Sequence, residues 1–258
     1  MKAVILAAGY ATRLYPLTLD RPKALLEVGG RPMLDRLLDQ LEGVEGLDEV
    51  LVATNSKFAG AFRDWAAGGF GVPVRIVDDG TADEESRLGA IGDLDLTIRD
   101  ADLDDDLLVL AGDNLFSESI APFPAFALGK GGAALGVYDV GDLDAIRRYA
   151  VIELDAHDRV TRLEEKPDEP RSTLAGIALY FYPRSALPLV AEYLFEGNNP
   201  DQPGRLVQWL YPRTPVYGWR VPGRWYDVGS KETLAEADRA FRGGDNPAHT
   251  RRRAVTDT

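Results

Sequence analysis

The sequence predicts an α/β protein with a mostly parallel central sheet. One observation is a set of short apolar runs typical of buried strands, at Lys2–Leu6, Glu49–Thr54 and Leu107–Ala111. The other is that segments with apolar residues at helical spacing lie between these runs, at 31–42 and 87–98. Strands that alternate with helices indicate βαβ units, which form parallel sheets.

The same patterns divide the rest of the chain into short elements without an internal repeat. We expect further strands at 72–77, 133–140, 149–154, 160–165, 174–182, 216–221 and 225–228, and further helices at 58–65, 185–196, 204–211 and 231–242. No stretch rich in Pro, Gly or Ser separates two units, so we predict a single domain over residues 1–242. The polar tail, residues 243–258, is expected to be disordered.

Composition excludes several classes of protein and of site. The 258 residues contain no cysteine, which excludes disulfides, thiolate metal sites and cysteine nucleophiles and fits a cytoplasmic protein. No apolar run approaches the roughly 20 residues of a membrane helix, so we expect no membrane partner. The net charge of −13 argues against nucleic acid as a partner. Twelve acids and two arginines lie within residues 78–106, and we expect that stretch to be a solvated surface.

The most informative segment runs from residue 6 to residue 33, where the first strand ends in a glycine followed by two cations. Gly9 allows the backbone to approach a ligand closely, Arg13 supplies a fork of donors, and Lys23 supplies a point charge. Together they suggest a cradle for a polyphosphate. The Walker pattern is absent, and Ala11 and Leu14 stand where the dinucleotide fingerprint needs glycines.

Two carboxylates are candidate metal ligands. Asp113 comes directly after the strand Leu107–Ala111, at the end of a strand where open α/β sheets bind ligands and where Mg²⁺ could be held against a phosphate. Asp227 is flanked by aromatic and apolar residues, and a buried carboxylate there would need a partner or a metal. The alternatives are a turn residue for Asp113 and support of a helix N-terminus for Asp227.

Three further residues have both a functional and a structural interpretation. Lys166 could meet an anionic second substrate and Glu165 could bind hydroxyl groups, although a solvated charge pair at a strand end is the commoner case. Gly89 could allow close approach of a base or ribose, or could simply serve helix packing.

The histidine inventory argues against a protein general base. His157 lies in an expected hairpin turn and His249 in the tail, and neither the Gly-x-Ser-x-Gly nor the His-Glu-x-x-His motif occurs. Chemistry that depends on cations, such as phosphoryl or nucleotidyl transfer, fits this inventory because positioning and charge neutralisation dominate its catalysis.

Taken together, these motifs resemble those of the sugar-1-phosphate nucleotidyltransferases, or NDP-sugar pyrophosphorylases, in their short single-domain form. The resemblance extends from about Met1 to Phe241. The motifs that carry it, in family order, are Leu6–Gly9, Arg13–Thr18, Arg21–Leu26, Gly112–Asn114, Glu165–Pro167 and Trp225–Ser230. It implies a Rossmann-like three-layer α/β/α fold with a mixed, mostly parallel central sheet, of the nucleotidyltransferase or GT-A-like type. It also implies Mg²⁺-dependent transfer from an NTP to a sugar-1-phosphate, giving NDP-sugar and pyrophosphate.

The resemblance also implies a role for each site residue and a division of the domain. Residues to about 130 would bind the nucleotide and residues 131–242 the sugar phosphate. The implied roles are catalysis by Arg13, Lys23 and Asp113, nucleotide binding by Leu6, Ala8, Gly9, Tyr10 and Gly89, sugar-phosphate binding by Tyr149, Glu165, Lys166 and Gly176, and Mg²⁺ binding by Asp113 and Asp227. Homo-oligomers are common in the family, so a homo-oligomer is compatible with the resemblance.

Some residues depart from the family pattern. Ala11 and Ala150 stand where many members have glycine. Glu84 replaces a Gln that is usual in thymidylyl members; it could accept hydrogen bonds from a guanine edge, although we favour a solvated Glu84.

Three alternative functions stay open beside the leading one. One is a non-catalytic regulatory homologue that binds nucleotide sugars. A second is a cytidylyl- or guanylyltransferase acting on a cyclitol phosphate or phosphocholine. The third, a glycosyltransferase, would be expected to carry Asp-x-Asp after a central strand, whereas Asp104, Asp105 and Asp106 precede theirs.

Overall fold

A computed structural model of the protein describes residues 1–242, and the predicted disordered tail lies outside the described residues. The strands are β1 Lys2–Leu6, β2 Glu27–Val28, β3 Arg31–Pro32, β4 Glu49–Thr54, β5 Val74–Asp78, β6 Leu107–Ala111, β7 Asn114–Phe116, β8 Ala133–Asp139, β9 Ala150–Leu154, β10 Val160–Glu165, β11 Leu174–Tyr182, β12 Val216–Arg220 and β13 Trp225–Asp227. The helices are α1 Met33–Leu41, α2 Ala59–Ala66, α3 Ala90–Asp100, α4 Pro122–Lys130, α5 Pro188–Phe195, α6 Pro203–Leu210 and α7 Lys231–Arg242.

The described residues form one nine-stranded mixed sheet with two small two-stranded sheets beside it. Strands β5, β4, β1 and β6 are parallel neighbours in that order. Strand β11 continues the sheet antiparallel to β6, and β8 and then β12 extend it further. The other end of β11 pairs with β9, which forms an antiparallel hairpin with β10.

The alternation of side chains along each strand explains why helices cover both faces of this sheet. Val4 and Leu51 point to one face, where they share a core with α3, α5 and α6. Ala3 and Ile5 point to the other face, where α1, α2 and α4 cover them. The mixed sheet between two helical layers confirms the predicted Rossmann-like α/β fold.

Some elements differ from the sequence-based prediction. The hairpin β2–β3 and strand β7 were not predicted, because two- and three-residue strands carry no periodicity. Helix α4 was not predicted either, because its nine residues are apolar on nearly every side and show no amphipathic spacing. The helix expected from residue 87 begins at Ala90 instead. Gly89 precedes it with φ of +82°, a left-handed conformation that no helical residue adopts.

The topology gathers the loops that carry the motifs at one edge of the sheet. Strands β1 and β6 are adjacent and parallel, so the loop after Leu6 and the turn after Ala111 leave the sheet side by side. The acidic run before β6 lies at the opposite end, where Asp105 contacts the amino group of Met1 at 2.7 Å. Within residues 1–242, no helix combines the length and apolar character needed to cross a membrane.

Gly89→Ala should destabilise the protein by roughly 2–4 kcal/mol, from left-handed strain and overpacking together. A Cβ at Gly89 would lie 2.8 Å from the carbonyl carbon and oxygen of Pro200, where backbone cannot yield cheaply. Urea denaturation of the variant and the wild type gives the difference. Gly60→Ala in α2 is the control, because no atom lies within 4 Å of the added Cβ, and it should be neutral or stabilising. Equal stability of Gly89→Ala and wild type would contradict the required glycine.

Candidate active site

A cleft of about 620 Å³ opens at the edge of the sheet where the motif loops meet. This volume lies within the range of ligand pockets. Every residue predicted to belong to the site lines this cleft: Leu6, Ala8, Gly9, Tyr10, Arg13, Lys23, Gly89, Asp113, Tyr149, Glu165, Lys166, Gly176 and Asp227. The structure therefore brings together in one place residues that are spread over more than 200 positions of the chain.

The two predicted metal ligands meet because two short strands pair. Asp113 lies in the turn between β6 and β7, and Asp227 is the last residue of β13. These strands pair antiparallel, with Asp227 opposite Asn114. The Val228 N–H donates to the Asp113 carbonyl oxygen at 3.2 Å and extends the contact by one residue. The pairing places the two carboxylates as neighbours in the cleft.

A lysine from the first loop forms an ion pair with one of these two carboxylates. Lys23 Nζ donates to Asp113 Oδ2 at 2.6 Å. Burial raises the pKa of Asp227, and the negative charge of Asp113 raises it further, while Lys23, Arg148 and Arg13 act in the opposite direction. The raised pKa shows that these cations do not fully offset the cost of holding two carboxylates together.

The donor set suits a hard cation that is shared with a substrate. Within residues 1–242, no three His, Cys, Asp or Glu side chains are grouped closely enough to hold a metal ion by themselves. Asp113 and Asp227 are therefore the two protein ligands available here, and both supply carboxylate oxygens. Mg²⁺ is commonly bound by one or two carboxylates, with water and phosphate oxygens completing its shell.

The first loop leaves room beside its glycine. No protein atom lies within 4 Å of the position that a Cβ on Gly9 would take. The buried Asn55 side chain, at the end of β4, donates to the Ala8 carbonyl oxygen at 2.7 Å and fixes the loop from below. Ala11 has φ of 49°, the left-handed region that favours glycine, at a cost of about 1–2 kcal/mol. Glycine adopts this conformation without that cost.

Arg13 and Arg148 are cations of the cleft that form no ion pair within residues 1–242. Arg13 lies in a single 3-10 turn, Thr12–Leu14, directly after Ala11. Arg148 was not predicted; it precedes Tyr149, and its guanidinium lies 5.9 Å from the centre of that ring. Among residues 1–242, no carboxylate lies within 4 Å of either arginine. The signal in the sequence was a charge of the right sign next to a predicted sugar-phosphate residue.

Tyr149 lies between the metal-ligand candidates and an aromatic wall. Its ring makes an edge contact with Trp225, with the ring centres 5.1 Å apart. Burial raises the pKa of the Tyr149 hydroxyl, and the neighbouring Asp227 carboxylate contributes to the increase. The hydroxyl is therefore a neutral donor near physiological pH.

Glu165 and Lys166 leave β10 at the other end of the cleft. The Glu165 side chain is only 8% exposed, and its carboxylate contacts Gly204 at the start of α6. Burial raises the pKa of Glu165, against the charges of Lys166 and Arg205. Lys166 has φ of 50°, an unusual conformation for a lysine, and such strain is characteristic of functional sites.

Two of the predicted glycines are required by the packing of the chain itself. The direction in which a side chain would project from Gly89 is filled by Pro200. At Gly176 it is filled by the Cδ1 atom of Ile152, 2.6 Å from the position of a Cβ. Both line the cleft, but their lack of a side chain has a structural cause.

Glu84 is exposed to solvent, as expected, with half of its side-chain surface accessible. It lines the cleft and accepts a hydrogen bond from Arg87 at 3.2 Å. Arg87 also donates to both oxygens of Asp201, at 3.0 and 3.3 Å. Arg87 therefore connects the two loops that face each other across this part of the cleft.

Two acids of the stretch 78–106 are buried, contrary to the expectation that the stretch is a solvated surface. Asp93 on α3 is 6% exposed and Asp79 after β5 is 9% exposed. Burial raises the pKa of Asp93 to about 8, with contributions from the charge of Asp79 and from a hydrogen bond between the two carboxyl groups. Asp93 lines the cleft.

Asp93→Asn should change how stability depends on pH. The carboxyl titrates near 3.8 when unperturbed and near 8 in the folded protein, so between these values the folded state binds the extra proton. The free energy of unfolding of the wild type should therefore fall as pH rises through this window. Because asparagine does not titrate, the variant should gain stability relative to wild type from about pH 5 to pH 8.

Urea denaturation at intervals between about pH 5 and pH 9 measures this difference. Asp95→Asn, in the same helix, is the matched control because Asp95 lies outside the cleft and contacts Arg99 at 2.9 Å. The free energy of unfolding of Asp95→Asn should depend on pH in the same way as that of the wild type. A constant difference between Asp93→Asn and wild type at every pH would contradict the raised pKa.

Comparison with known proteins agrees with this geometry. The family model described as nucleotidyl transferase matches residues 2–243. The chain is 25% identical over 240 residues to the bifunctional protein GlmU of Methanocaldococcus jannaschii, covering 93% of this chain and 54% of that protein. It thus spans about half the length of that relative.

Two further proteins resemble the chain over most of their length. The UTP–glucose-1-phosphate uridylyltransferase AglF of Haloferax volcanii is 31% identical over 182 residues, which are 70% of this chain and 72% of AglF. A Bacillus anthracis protein, assigned as a glucose-1-phosphate thymidylyltransferase and solved with sucrose, superposes with a TM-score of 0.81 at 26% identity. The superposition covers 95% of this chain and 96% of the Bacillus anthracis protein. The chain therefore belongs to the nucleotidyl transferase family, the reaction class that its motifs predicted.

Proposed function

We propose that the protein transfers a nucleotidyl group from an NTP to a sugar-1-phosphate in an Mg²⁺-dependent reaction, giving NDP-sugar and pyrophosphate. One observation carries the proposal: Lys23 binds Asp113 at 2.6 Å, beside Asp227, in a cleft lined by every predicted site residue. A non-catalytic homologue would have no need to keep this costly arrangement of charges.

Asp113 and Asp227 would hold the Mg²⁺ ion. The raised pKa of Asp227 supports this role, since a divalent cation would supply the charge that Lys23 and the arginines leave uncompensated. When bound, Mg²⁺ would neutralise phosphate charge and orient the phosphate oxygens.

The residues of the cleft act mainly on charge and position. The acceptor phosphate has a second pKa of about 6, so it is already ionised near pH 7 and needs no base. No histidine of residues 1–242 lines the cleft. The main obstacle is repulsion between two polyanions, which Arg13, Lys23 and Lys166 would reduce while they hold the reacting groups in line.

The cleft also suggests how the two substrates are divided. The loop around Gly9 and the start of α3 would receive the nucleotide, as the role of residues 1–130 implies. Tyr149, Glu165 and Lys166 would receive the sugar phosphate, and Arg148 adds a cation on that side. The phosphates would then meet at Lys23, Asp113 and Asp227.

The decisive experiment is pyrophosphate release from a panel of NTPs combined with a panel of sugar-1-phosphates in the presence of Mg²⁺. Release with at least one pair, together with formation of the NDP-sugar, is the expected result. Cyclitol phosphates and phosphocholine belong in the acceptor panel as alternatives. If no pair releases pyrophosphate while the protein still binds nucleotide sugars, the result would favour a regulatory homologue.

Asp113→Asn and Asp227→Asn should each reduce turnover by roughly 100-fold or more, because a neutral amide neither holds Mg²⁺ well nor, at position 113, pairs with Lys23. Chelation of the metal should abolish turnover in the wild type, and added Mg²⁺ should restore it. Pyrophosphate release measures both effects. Asp64→Asn, an exposed residue of α2 outside the cleft, is the control and should keep full activity. Full activity in either site variant would remove that residue from the metal site.

Gly9→Ala should weaken nucleotide binding without affecting the fold. A Cβ there meets no protein atom within 4 Å, so the added methyl occupies only space reserved for ligand. Calorimetric titration with NTP and Mg²⁺ should show at least about tenfold weaker binding, while the urea midpoint stays within error of the wild type. Gly60→Ala, equally free of contacts, should leave both unchanged. Unchanged affinity in Gly9→Ala would show that the backbone at this point does not approach the nucleotide.

A further inference from the structure

The wall of the cleft beneath α3 contains a carboxyl group that the proposed chemistry does not use. Asp93 and Ala90 lie one helical turn apart, and both line the cleft next to Gly89 and Tyr10. Asp93 is 6% exposed, and its Oδ1 is fully buried without a hydrogen-bond partner among the described residues. The oxygen that can reach the cleft is therefore Oδ2.

Asp79 lies behind Asp93 and explains how the acid is tolerated. One of its oxygens, Oδ1, accepts the Thr81 N–H at 2.6 Å, while Oδ2 is buried without a partner. The carboxyl groups of Asp79 and Asp93 lie within hydrogen-bonding reach of each other. Burial and the charge of Asp79 raise the pKa of Asp93, and a proton between the two carboxyl groups satisfies both buried oxygens. Oδ2 of Asp93 then stays free as an acceptor.

The groups around this pair add further acceptors, and the Tyr10 hydroxyl can act as either donor or acceptor. Glu84 also lines the cleft. Burial raises the pKa of the Tyr10 hydroxyl, and the negative charges of Asp79 and Asp83 raise it further. The hydroxyl oxygen lies 3.4 Å from Thr81 Oγ1. The nearby cation, Arg87, already donates to Glu84 and Asp201. A ligand edge that enters here therefore meets hydrogen-bond acceptors.

Nucleobases differ in what they present to such a wall. Cytosine, adenine and guanine carry an exocyclic amino group, whereas uracil and thymine present a single N3–H donor between two carbonyl oxygens. A carbonyl facing Asp93 would repel its oxygen and leave both groups without a partner, and sites built on a hydrogen bond reject such analogues strongly. The names of similar proteins include both uridylyl- and thymidylyltransferases, so the family does not determine the base.

We propose that Asp93, supported by Asp79, is a specificity-determining residue that accepts a hydrogen bond from the exocyclic amino group of the base. The enzyme accordingly uses CTP, ATP or GTP in preference to UTP and dTTP. This inference rests on the proposed function, since it takes the Tyr10, Gly89 and Ala90 end of the cleft as the site of the base.

The test measures base preference in binding and in turnover. Dissociation constants for CTP, ATP, GTP, UTP and dTTP are measured by calorimetry with Mg²⁺, and kcat and KM are measured by pyrophosphate release with one sugar-1-phosphate that the protein accepts. The wild type should prefer at least one amino-bearing NTP to both UTP and dTTP by tenfold or more. UTP or dTTP bound as well as every amino-bearing NTP would overturn the proposal.

Two variants assign the preference to Asp93. In Asp93→Ala the preference should fall to within about threefold, through KM for the NTP rather than kcat. In Asp93→Asn the amide can donate to a carbonyl oxygen, so UTP or dTTP should gain affinity severalfold. Asp95→Asn should keep the wild-type preference. A preference unchanged in both Asp93 variants, with thermal unfolding showing that they are folded, would refute the role, since a purely structural effect weakens all five nucleotides alike.

The binding measurement separates this inference from the proposed function. If no acceptor supports turnover, the proposed function fails, while a binding preference for amino-bearing nucleotides that is lost in Asp93→Ala still supports the role of Asp93. If turnover occurs but is fastest with UTP or dTTP, the proposed function holds and the inference fails. If no nucleotide binds, both fail.

Discussion

Mutual repulsion between Asp113 and Asp227 is the constraint around which the site is organised. Left alone, two neighbouring carboxylates in a partly buried position would protonate or move apart. Backbone pairing of β7 with β13 prevents them from separating, and the short hydrogen bond from Lys23 reduces the charge. Each of these supports comes from a different part of the chain. The first loop, the end of β6 and the C-terminal strand must therefore all fold before the site exists.

A second pair of acids solves the same problem in another way. Within residues 1–242 no cation contacts Asp79 or Asp93, and burial together with the charge of Asp79 raises the pKa of Asp93. The cleft thus contains one acidic pair with cations beside it and one acidic pair without them. Burial alone does not separate these two outcomes, since Asp227 and Asp93 are both withdrawn from solvent. The difference lies in the neighbouring cations.

The fold and most of the candidate site follow from the sequence because their signals are local. Strands such as β1, β4 and β6 are continuous apolar runs, and Gly9, Arg13, Lys23, Asp113 and Asp227 each lie next to an element boundary. The buried position of Asp93 could not be predicted in this way. It stands within a run of acids, and only the distant contact with Asp79 shows that it faces inward. The late start of α3 likewise depends on Pro200, more than 100 positions away.

Strand β11 has a consequence for how such a protein can diversify. Its later residues pair with β6, next to Asp113, whereas the β9–β10 hairpin joins it through only two residue pairs, at Ala175 and Gly176. Tyr149, Glu165 and Lys166 all lie on or beside that hairpin. The hairpin therefore pairs with β11 over only a short stretch, although its inner side chains pack into the same core as α3, α5 and α6. Under the proposed function, substitutions at the cleft-facing residues of the hairpin would change the acceptor side of the cleft and leave the parallel strands next to Asp113 unchanged.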